Sequence, residues 1–276
     1  MGVVYSAWSL DNEVRKNSTS GGIFTELAKQ AIREGYWIAG AKYNDDFSVE
    51  HDLIKKKEDI KILRQSKYVQ SDMSKIRKKM EDKKVMFVGS PCQCASVKAD
   101  LKIDFICRGM PVKKAYQKYL EMLEKQYNSK ITRVWFKNKE LGWNNFSTRV
   151  DFENGHHYLK KYNQDLYMKA YLVENIMMKK SCYACQYKGE ERVSDITLGD
   201  FWGRRDPMGI SFVMLNTPKG EKLFNKIKIY KELASLEEAK VKNPCLYKCP
   251  KEGLRRDEFL ELLDTFSFDE AFKIVT

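Results

Sequence analysis

Apolar positions in the first third of the chain follow first a helical and then a strand pattern. Between Ser18 and Gly35 they recur every three or four residues, which predicts an amphipathic helix. Four short segments are predicted to be strands. They are Tyr36–Tyr43, Val49–Ile54, Lys84–Val88, which is predicted to be buried, and Ile103–Ile106. A second helix is predicted from a cap at Ser71 to about Asp82.

The pattern changes after a long amphipathic stretch at Val112–Tyr127, which predicts a helix. Alternating apolar and polar residues on both sides of Asn154–Gly155 then predict a β-hairpin. A helix is predicted at Asp165–Met178, and further strands at Ser194–Leu198 and Ile210–Leu215.

These elements predict an α/β (α+β mixed) fold in two regions. Residues 1–98 are predicted to form an N-terminal α/β layer. Residues 99–276 are predicted to form a mixed sheet with a β-hairpin and flanking helices. The 276 residues allow a substantial core, and no apolar run approaches the length of a membrane span. A cytoplasmic protein without membrane contact is therefore predicted.

Charge and cysteine content narrow the chemistry. The formal charge of +12 favours an anionic partner, which includes nucleic acid, a phosphorylated cofactor or an acidic protein. Seven cysteines are an odd number for a disulfide framework. In a reducing compartment, the Cys-x-x-Cys at Cys182 and Cys185 favours metal binding or redox chemistry.

Further cysteines follow two predicted strands, at Cys92, Cys94 and Cys107. Four interpretations stay open: a thioredoxin-like dithiol, a zinc site, unligated buried thiols and an iron–sulfur cluster. The cluster is favoured because its ligands can come from separate loops. Cys94 is the substitute ligand if Cys92 points elsewhere, and Cys245 and Cys249 are taken as structural.

The start of the first predicted helix suits a phosphate or pyrophosphate group. The hydroxyls of Ser18, Thr19 and Ser20 are predicted N-caps that precede Gly21 and Gly22, and a helix N-terminus attracts anions. An ordinary capped helix explains the same residues. Lys67 in the loop QSKYVQSD could neutralise the pyrophosphate of a flavin.

Five motifs in this order resemble those of the coenzyme F420 hydrogenase/dehydrogenase beta-subunit family. They are SGGIF (Ser20–Phe24), SKYVQSD (Ser66–Asp72), VGSPCQ (Val88–Gln93), CRGMP (Cys107–Pro111) and SCYACQYKG…SDITLGDFWG (Ser181–Gly203). The resemblance extends over nearly the whole chain.

The resemblance implies an oxidoreductase that binds FAD and one 4Fe-4S cluster. The predicted cluster ligands are Cys92, Cys107, Cys182 and Cys185. The residues predicted to bind or adjoin the cofactors are Thr19, Ser20, Gly21, Gly22, Ser66, Lys67, Tyr68, Gln70, Ser71 and Asp200. No catalytic acid or base is implied, because flavin N5 itself exchanges the hydride.

The resemblance also implies two redox partners. A ferredoxin or ferredoxin-like subunit is the predicted electron donor, and a small molecule such as coenzyme F420 is the predicted hydride acceptor. Many relatives carry an upstream ferredoxin-like segment, whereas this chain starts just before the SGG motif. The electron entry route is therefore expected either to be missing or to lie on another chain. Arg108 stands where the family pattern has histidine, which would alter the charge beside the cluster.

Two rival hypotheses remain at this point. A zinc-stabilised nucleic-acid-binding protein would explain the charge and the Cys-x-x-Cys, but it leaves the SGG and LGDFWG motifs unexplained. A degenerate, non-catalytic scaffold of the same family would keep the fold without bound flavin.

Overall fold

The computed structural model describes residues 2–276, which divide into two compact units made of discontinuous segments. The first unit comprises residues 2–65, 71–107 and 186–248. The second unit comprises residues 66–70, 108–185 and 249–276. The predicted division of the chain into residues 1–98 and residues 99–276 separates two regions of sequence motifs, and it stays a prediction.

Eleven strands occur within residues 2–276. They are β1 (Val3–Ser9), β2 (Trp37–Tyr43), β3 (Val49–Ile54), β4 (Val85–Val88), β5 (Leu101–Phe105), β6 (Ile131–Asn138), β7 (Ser147–Phe152), β8 (His157–Lys161), β9 (Ile196–Asp200), β10 (Ser211–Leu215) and β11 (Ile229–Ala234). The strands predicted in the first third of the chain are all present, with ends shifted by one or two residues.

The described residues also form twelve α-helices. They are α1 (Asn12–Lys16), α2 (Ile23–Arg33), α3 (Ile60–Leu63), α4 (Ile76–Met80), α5 (Pro91–Ala95), α6 (Lys113–Tyr127), α7 (Leu166–Leu172), α8 (Lys180–Tyr183), α9 (Pro218–Phe224), α10 (Leu236–Lys242), α11 (Arg256–Leu262) and α12 (Phe268–Val275). Within residues 2–276, no helix is long and apolar enough to cross a membrane.

The first unit is built on a mixed sheet with the strand order β11-β1-β10-β9-β5-β4-β2-β3. The four strands β9, β5, β4 and β2 run parallel, and the outer strands pair antiparallel. Because parallel strands end at one edge, the segments after β4, β5 and β9 leave the sheet at the same edge. The predicted α/β fold is confirmed.

Both faces of this sheet are covered. Met86 of β4 packs with the apolar stripe of α2, whereas its neighbours Val85 and Phe87 pack with α4 and α5 on the other face. Successive strand residues point to opposite faces, so this alternation requires a layer of helices on each side. The stripe predicted for α2 is buried, with Leu27 and Ala31 both fully enclosed.

The second unit contains an antiparallel sheet with the order β6-β7-β8. The predicted hairpin between β7 and β8 is present, and Gly155 adopts φ of 81° at its turn. Buried Asp165 begins α7 by accepting a hydrogen bond from the N–H of Met168. Its other oxygen accepts from the hydroxyls of Tyr119 and Tyr158 at 2.6 and 2.8 Å, which ties α6, α7 and β8 together.

The helix predicted at Asp165–Met178 is too long, because α7 ends at Leu172. Asn175 then takes a left-handed conformation, and Met178 forms an antiparallel bridge with Pro111. This pairing requires extended backbone, so the helix cannot continue through the segment.

The helix predicted to begin at Ser71 is also wrong in its start. Helix α4 begins at Ile76, with Lys75 as its N-cap residue. The hydroxyl of Ser71 is engaged elsewhere, by the side chains of His51 and Gln93.

Candidate functional site

The predicted pyrophosphate turn begins helix α2 in the first unit. Gly22 is its N-cap residue, with φ of 88°, and no side-chain cap occurs there among the described residues. The serines predicted as caps have other partners, since Ser18 Oγ donates to a carbonyl of α1 and Ser20 Oγ donates to the carbonyl of Ile210 at 2.6 Å. The capping prediction is therefore wrong. The first turn of α2 can direct its N–H groups toward a bound anion.

Gly21 is required by packing inside the same unit. A Cβ at this position would lie 2.4 Å from the carbonyl oxygen of Ala7 and 2.9 Å from the nitrogen of Ser211. The N–H of Gly21 donates to Ser211 Oγ at 2.9 Å, and its carbonyl accepts from the N–H of Ser9 at 2.7 Å. Strands β1 and β10 therefore fix the position of the turn that begins α2.

A cation that the sequence analysis missed lies beside the first turn of α2. Arg64 Nε donates to Thr25 Oγ1 at 3.1 Å. Burial lowers the pKa of Arg64, although nearby acidic residues oppose this change. The guanidinium nevertheless keeps its charge at neutral pH. In the sequence, the position of Arg64 two residues before the SKYVQSD motif could have indicated its role. A helix N-terminus with an adjacent guanidinium suits a pyrophosphate.

The predicted flavin loop is divided between the units, because residues 66–70 belong to the second unit and Ser71 to the first. In the second unit, the carbonyl of Tyr68 accepts from Tyr167 Oη at 2.6 Å, and its ring packs edge-on against Phe136 and Tyr171. Burial lowers the pKa of Lys67 to about 7.

Ser71 lies in a buried hydrogen-bond network of the first unit. His51 Nδ1 is 2.7 Å from Ser71 Oγ, and His51 Nε2 is 3.0 Å from the carbonyl of Val88. Since that carbonyl can only accept, Nε2 carries the proton and Nδ1 accepts from Ser71. Gln93 Nε2 in turn donates to Ser71 Oγ at 2.8 Å.

The same network reaches the first predicted cluster ligand. Gln93 Oε1 accepts from the N–H and the hydroxyl of Ser90. Ser90 and Gln93 together form a capping box at the start of α5. Ser90 Oγ lies 3.2 Å from Cys92 Sγ. The network therefore links Ser71, a predicted flavin residue, to Cys92 through two intervening side chains.

Cys92 and its neighbour Cys94 differ in environment. Cys92 is exposed, whereas Cys94 is fully buried and its Sγ donates to the carbonyls of Gly89 and Ile103. Burial raises the pKa of the Cys94 thiol. A metal ligand must be a thiolate, so the structure favours Cys92 over Cys94.

Cys107 follows β5 at the edge where the parallel strands end. Its carbonyl and that of Cys245 both accept from Lys188 Nζ, the second at 2.9 Å. The segment that carries Lys188 is fastened to β5 by a buried ion pair, in which Arg192 Nη2 lies 2.8 Å from Asp104 Oδ2. Burial raises the pKa of Asp104, although Arg192 opposes that change.

Asp200 ends β9, the strand next to β5. Phe105 and Leu198 are partners in the parallel ladder, so Asp200 and Cys107 each lie two residues beyond a paired position. This register gives Asp200 and Cys107 corresponding positions along two adjacent segments of the chain.

The Cys-x-x-Cys pair lies in the second unit. Cys182 is in α8, and its Sγ accepts from the N–H of Met110 at 3.4 Å. Cys185 follows α8, and its N–H donates to the Sγ of Cys249 at 3.2 Å. The sequence gives no local sign of this contact, because Cys249 lies 64 positions from Cys185.

The four predicted ligands are divided between the units, with Cys92 and Cys107 in the first and Cys182 and Cys185 in the second. Within residues 2–276, no group of three or more His, Cys, Asp or Glu side chains is close enough to hold a metal ion. Four thiols are nevertheless the donor set of a 4Fe-4S cluster, so the residue types fit that group.

Two family models match the chain. The N-terminal model of the coenzyme F420 hydrogenase/dehydrogenase beta subunit matches residues 4–78, and the C-terminal model matches residues 82–240. The site therefore belongs to an electron-transferring oxidoreductase subunit. The chain is a member of the coenzyme F420 hydrogenase/dehydrogenase beta-subunit family, as its motifs indicated.

A solved structure has a similar fold. It is a chain of the F420-reducing NiFe hydrogenase complex from Methanosarcina barkeri, studied by xenon derivatization, with a TM-score of 0.62. The similarity covers 99% of this chain and 90% of that chain at 21% sequence identity, so it concerns the fold. No curated protein matches the sequence.

Proposed function

We propose that the chain is an iron–sulfur flavoprotein subunit that binds FAD and one 4Fe-4S cluster. The pyrophosphate of FAD would lie at the start of α2, where Gly22 leaves the first-turn N–H groups without a side-chain cap among the described residues. Arg64 would supply positive charge beside that turn. Residues 66–71 would hold the rest of the nucleotide, with Lys67 placed to neutralise its pyrophosphate.

The observation that carries the proposal is the buried network in the first unit. It runs from Ser71 through Gln93 and Ser90 to Cys92, with successive contacts of 2.8, 2.9 and 3.2 Å. A residue of the predicted flavin loop and a predicted cluster ligand are thus held by one set of hydrogen bonds. Electron transfer between two cofactors requires such fixed proximity.

The cluster would be ligated by four cysteines: Cys92, Cys107, Cys182 and Cys185. Asp200, whose position corresponds to that of Cys107 in the strand register, would place a carboxylate near the first two ligands. When bound, a flavin exchanges single electrons with a cluster and a hydride with an organic acceptor.

The proposed donor is a ferredoxin or a ferredoxin-like subunit, and the proposed acceptor is coenzyme F420. The similar chain from Methanosarcina barkeri belongs to a complex that reduces F420, which supports this choice of acceptor. The net charge of +12 suits an acidic electron carrier and an anionic acceptor alike. A cytoplasmic location stays a prediction.

The proposal is tested on protein purified without oxygen, by visible absorption together with iron, sulfide and flavin assays. We expect flavin bands over a broad cluster shoulder and about four irons per chain. Cys182→Ala is expected to lose the iron. Cys94→Ser is the matched control, since a serine there can still donate to one of the two carbonyls that Cys94 contacts.

Each alternative result has a defined meaning. A colourless protein that contains zinc would refute the cluster and favour the nucleic-acid-binding hypothesis. A colourless protein without metal or flavin would leave a non-catalytic scaffold. Iron retained in Cys182→Ala, or lost equally in Cys94→Ser, would contradict the ligand assignment.

A further inference from the structure

Cys249 lies against the backbone of Cys185 within the second unit. Its Sγ accepts from the N–H of Cys185 at 3.2 Å and donates to the carbonyl oxygen of the same residue at 3.6 Å. A sulfur held between both backbone groups of one residue is close to that residue's Cα. The Sγ of Cys185 is only two bonds from the same Cα, so both sulfurs lie near that atom, and a disulfide requires such proximity.

The other member of the Cys-x-x-Cys is held in a different place. Cys182 lies in α8, and its sulfur accepts from the N–H of Met110 at 3.4 Å. Cys185 lies two residues beyond the helix, outside any regular element. Of the two motif cysteines, Cys185 is therefore the one whose backbone is in contact with Cys249.

We propose that Cys185 and Cys249 are a redox-modification site that closes reversibly into a disulfide. Both residues are half-buried, so a small reagent can reach them. The oxidant is a low-molecular-weight disulfide. One protein thiol displaces half of it and forms a mixed disulfide, and the second protein thiol displaces the other half. One S–S bond forms and one breaks, while two electrons and two protons leave with two small thiols.

This reaction uses only thiol chemistry and does not depend on the cofactors. A consequence that rests on the proposed function follows, because Cys185 is one of the four predicted cluster ligands. A chain oxidised at this pair cannot offer Cys185 to iron. Disulfide formation and cluster assembly would exclude each other on the same chain.

The test uses the full chain after iron has been removed with a chelator under reducing conditions. The protein is titrated with oxidised glutathione, alkylated with iodoacetamide and digested for mass spectrometry. We expect two alkylatable thiols per chain to disappear and a peptide pair linked through Cys185 and Cys249 to appear. Dithiothreitol should reverse both changes.

Two serine variants serve as matched controls. Cys249→Ser should abolish the link and still fold, since its hydroxyl can make the same two backbone contacts. Cys245→Ser should retain the link. A Cys182–Cys185 link in the iron-free protein, or full alkylation of Cys185 and Cys249 at every oxidant concentration, would overturn the proposal.

Iron and flavin are assayed on the same preparation before the chelator is added. A preparation without either cofactor would refute the proposed function and leave the disulfide test valid. Bound cofactors together with no link after iron removal would refute the disulfide alone.

Discussion

Replacing Gln93 with methionine removes the centre of the network that joins Ser71 to Cys92. The Gln93 side chain donates to Ser71 and accepts twice from Ser90, and both Gln93 and Ser90 are buried. Methionine has a similar length but cannot replace these hydrogen bonds. Gln93→Met therefore tests whether the network stabilises the first unit.

The expected cost follows from the number of groups left without a partner. A buried hydrogen bond contributes about 1 kcal/mol net, and a buried donor left unpaired costs about 1–3 kcal/mol. The N–H of Ser90 loses the reciprocal bond of its capping box, while its hydroxyl can turn toward Cys92. We therefore expect Gln93→Met to lower the free energy of unfolding by about 3 kcal/mol.

The assay is urea unfolding followed by circular dichroism, with linear extrapolation to water. Gln30→Met is the matched control, because Gln30 donates to Glu34 and accepts from Arg33 where all three side chains are exposed or only partly buried. Each such helical pair contributes about 0.2–0.5 kcal/mol. If the free energy of unfolding falls by the same amount in both variants, to within about 1 kcal/mol, the network is refuted as a source of stability.

Three further predictions concern separate sites. Arg64→Ala removes the charge beside Thr25, so it should weaken FAD binding about tenfold, or by about 1.4 kcal/mol. Titration with FAD measures this change. An equal loss of affinity in Arg33→Ala, at the opposite end of α2, would contradict the prediction. Burial raises the pKa of Asp52, but hydrogen bonds from two lysines outweigh this and lower it to about 2. This pKa lies below the unfolded value of 3.8, so the stabilisation is present above about pH 4 and is lost toward pH 2. Lys79→Met should remove part of this stabilisation, about 1 kcal/mol after allowance for solvent screening. The free energy of unfolding at about pH 5 and 2.5 measures the change. A variant whose stability depends on pH as the unmodified chain's does would exclude the prediction. Gly109 has φ of 153°, and Gly109→Ala would place a Cβ 2.5 Å from a methionine sulfur. We expect this steric conflict to lower the thermal unfolding midpoint. A midpoint equal to that of the unmodified chain would disprove the conflict.

The helices and strands around the parallel sheet could be predicted because their signals are local. The apolar stripe of α2 is contiguous in sequence, and the runs that form β4 and β5 are bounded by polar residues. The family could be recognised for a similar reason, since each motif occupies one short segment.

The partners of the site residues could not be predicted from the same signals. A serine before a polar segment looks like a helix cap, but Ser71 bonds to His51 and Gln93, which lie 20 and 22 positions away. The contact of Cys249 with Cys185 spans 64 positions. The end of α7 likewise depends on Pro111, whose bridge to Met178 is invisible in the local pattern.

The discontinuous composition of the units constrains how the chain can fold during synthesis. The second unit includes residues 66–70 as well as residues 249–276, so it requires segments made early and late. The first unit requires residues as far as 248, which add β9, β10 and β11 to strands made much earlier. Contacts over such sequence separations are slow to form. Neither unit can complete its native contacts until almost the whole chain has left the ribosome, so β2, β4 and β5 must wait with an unpaired edge that is prone to aggregation.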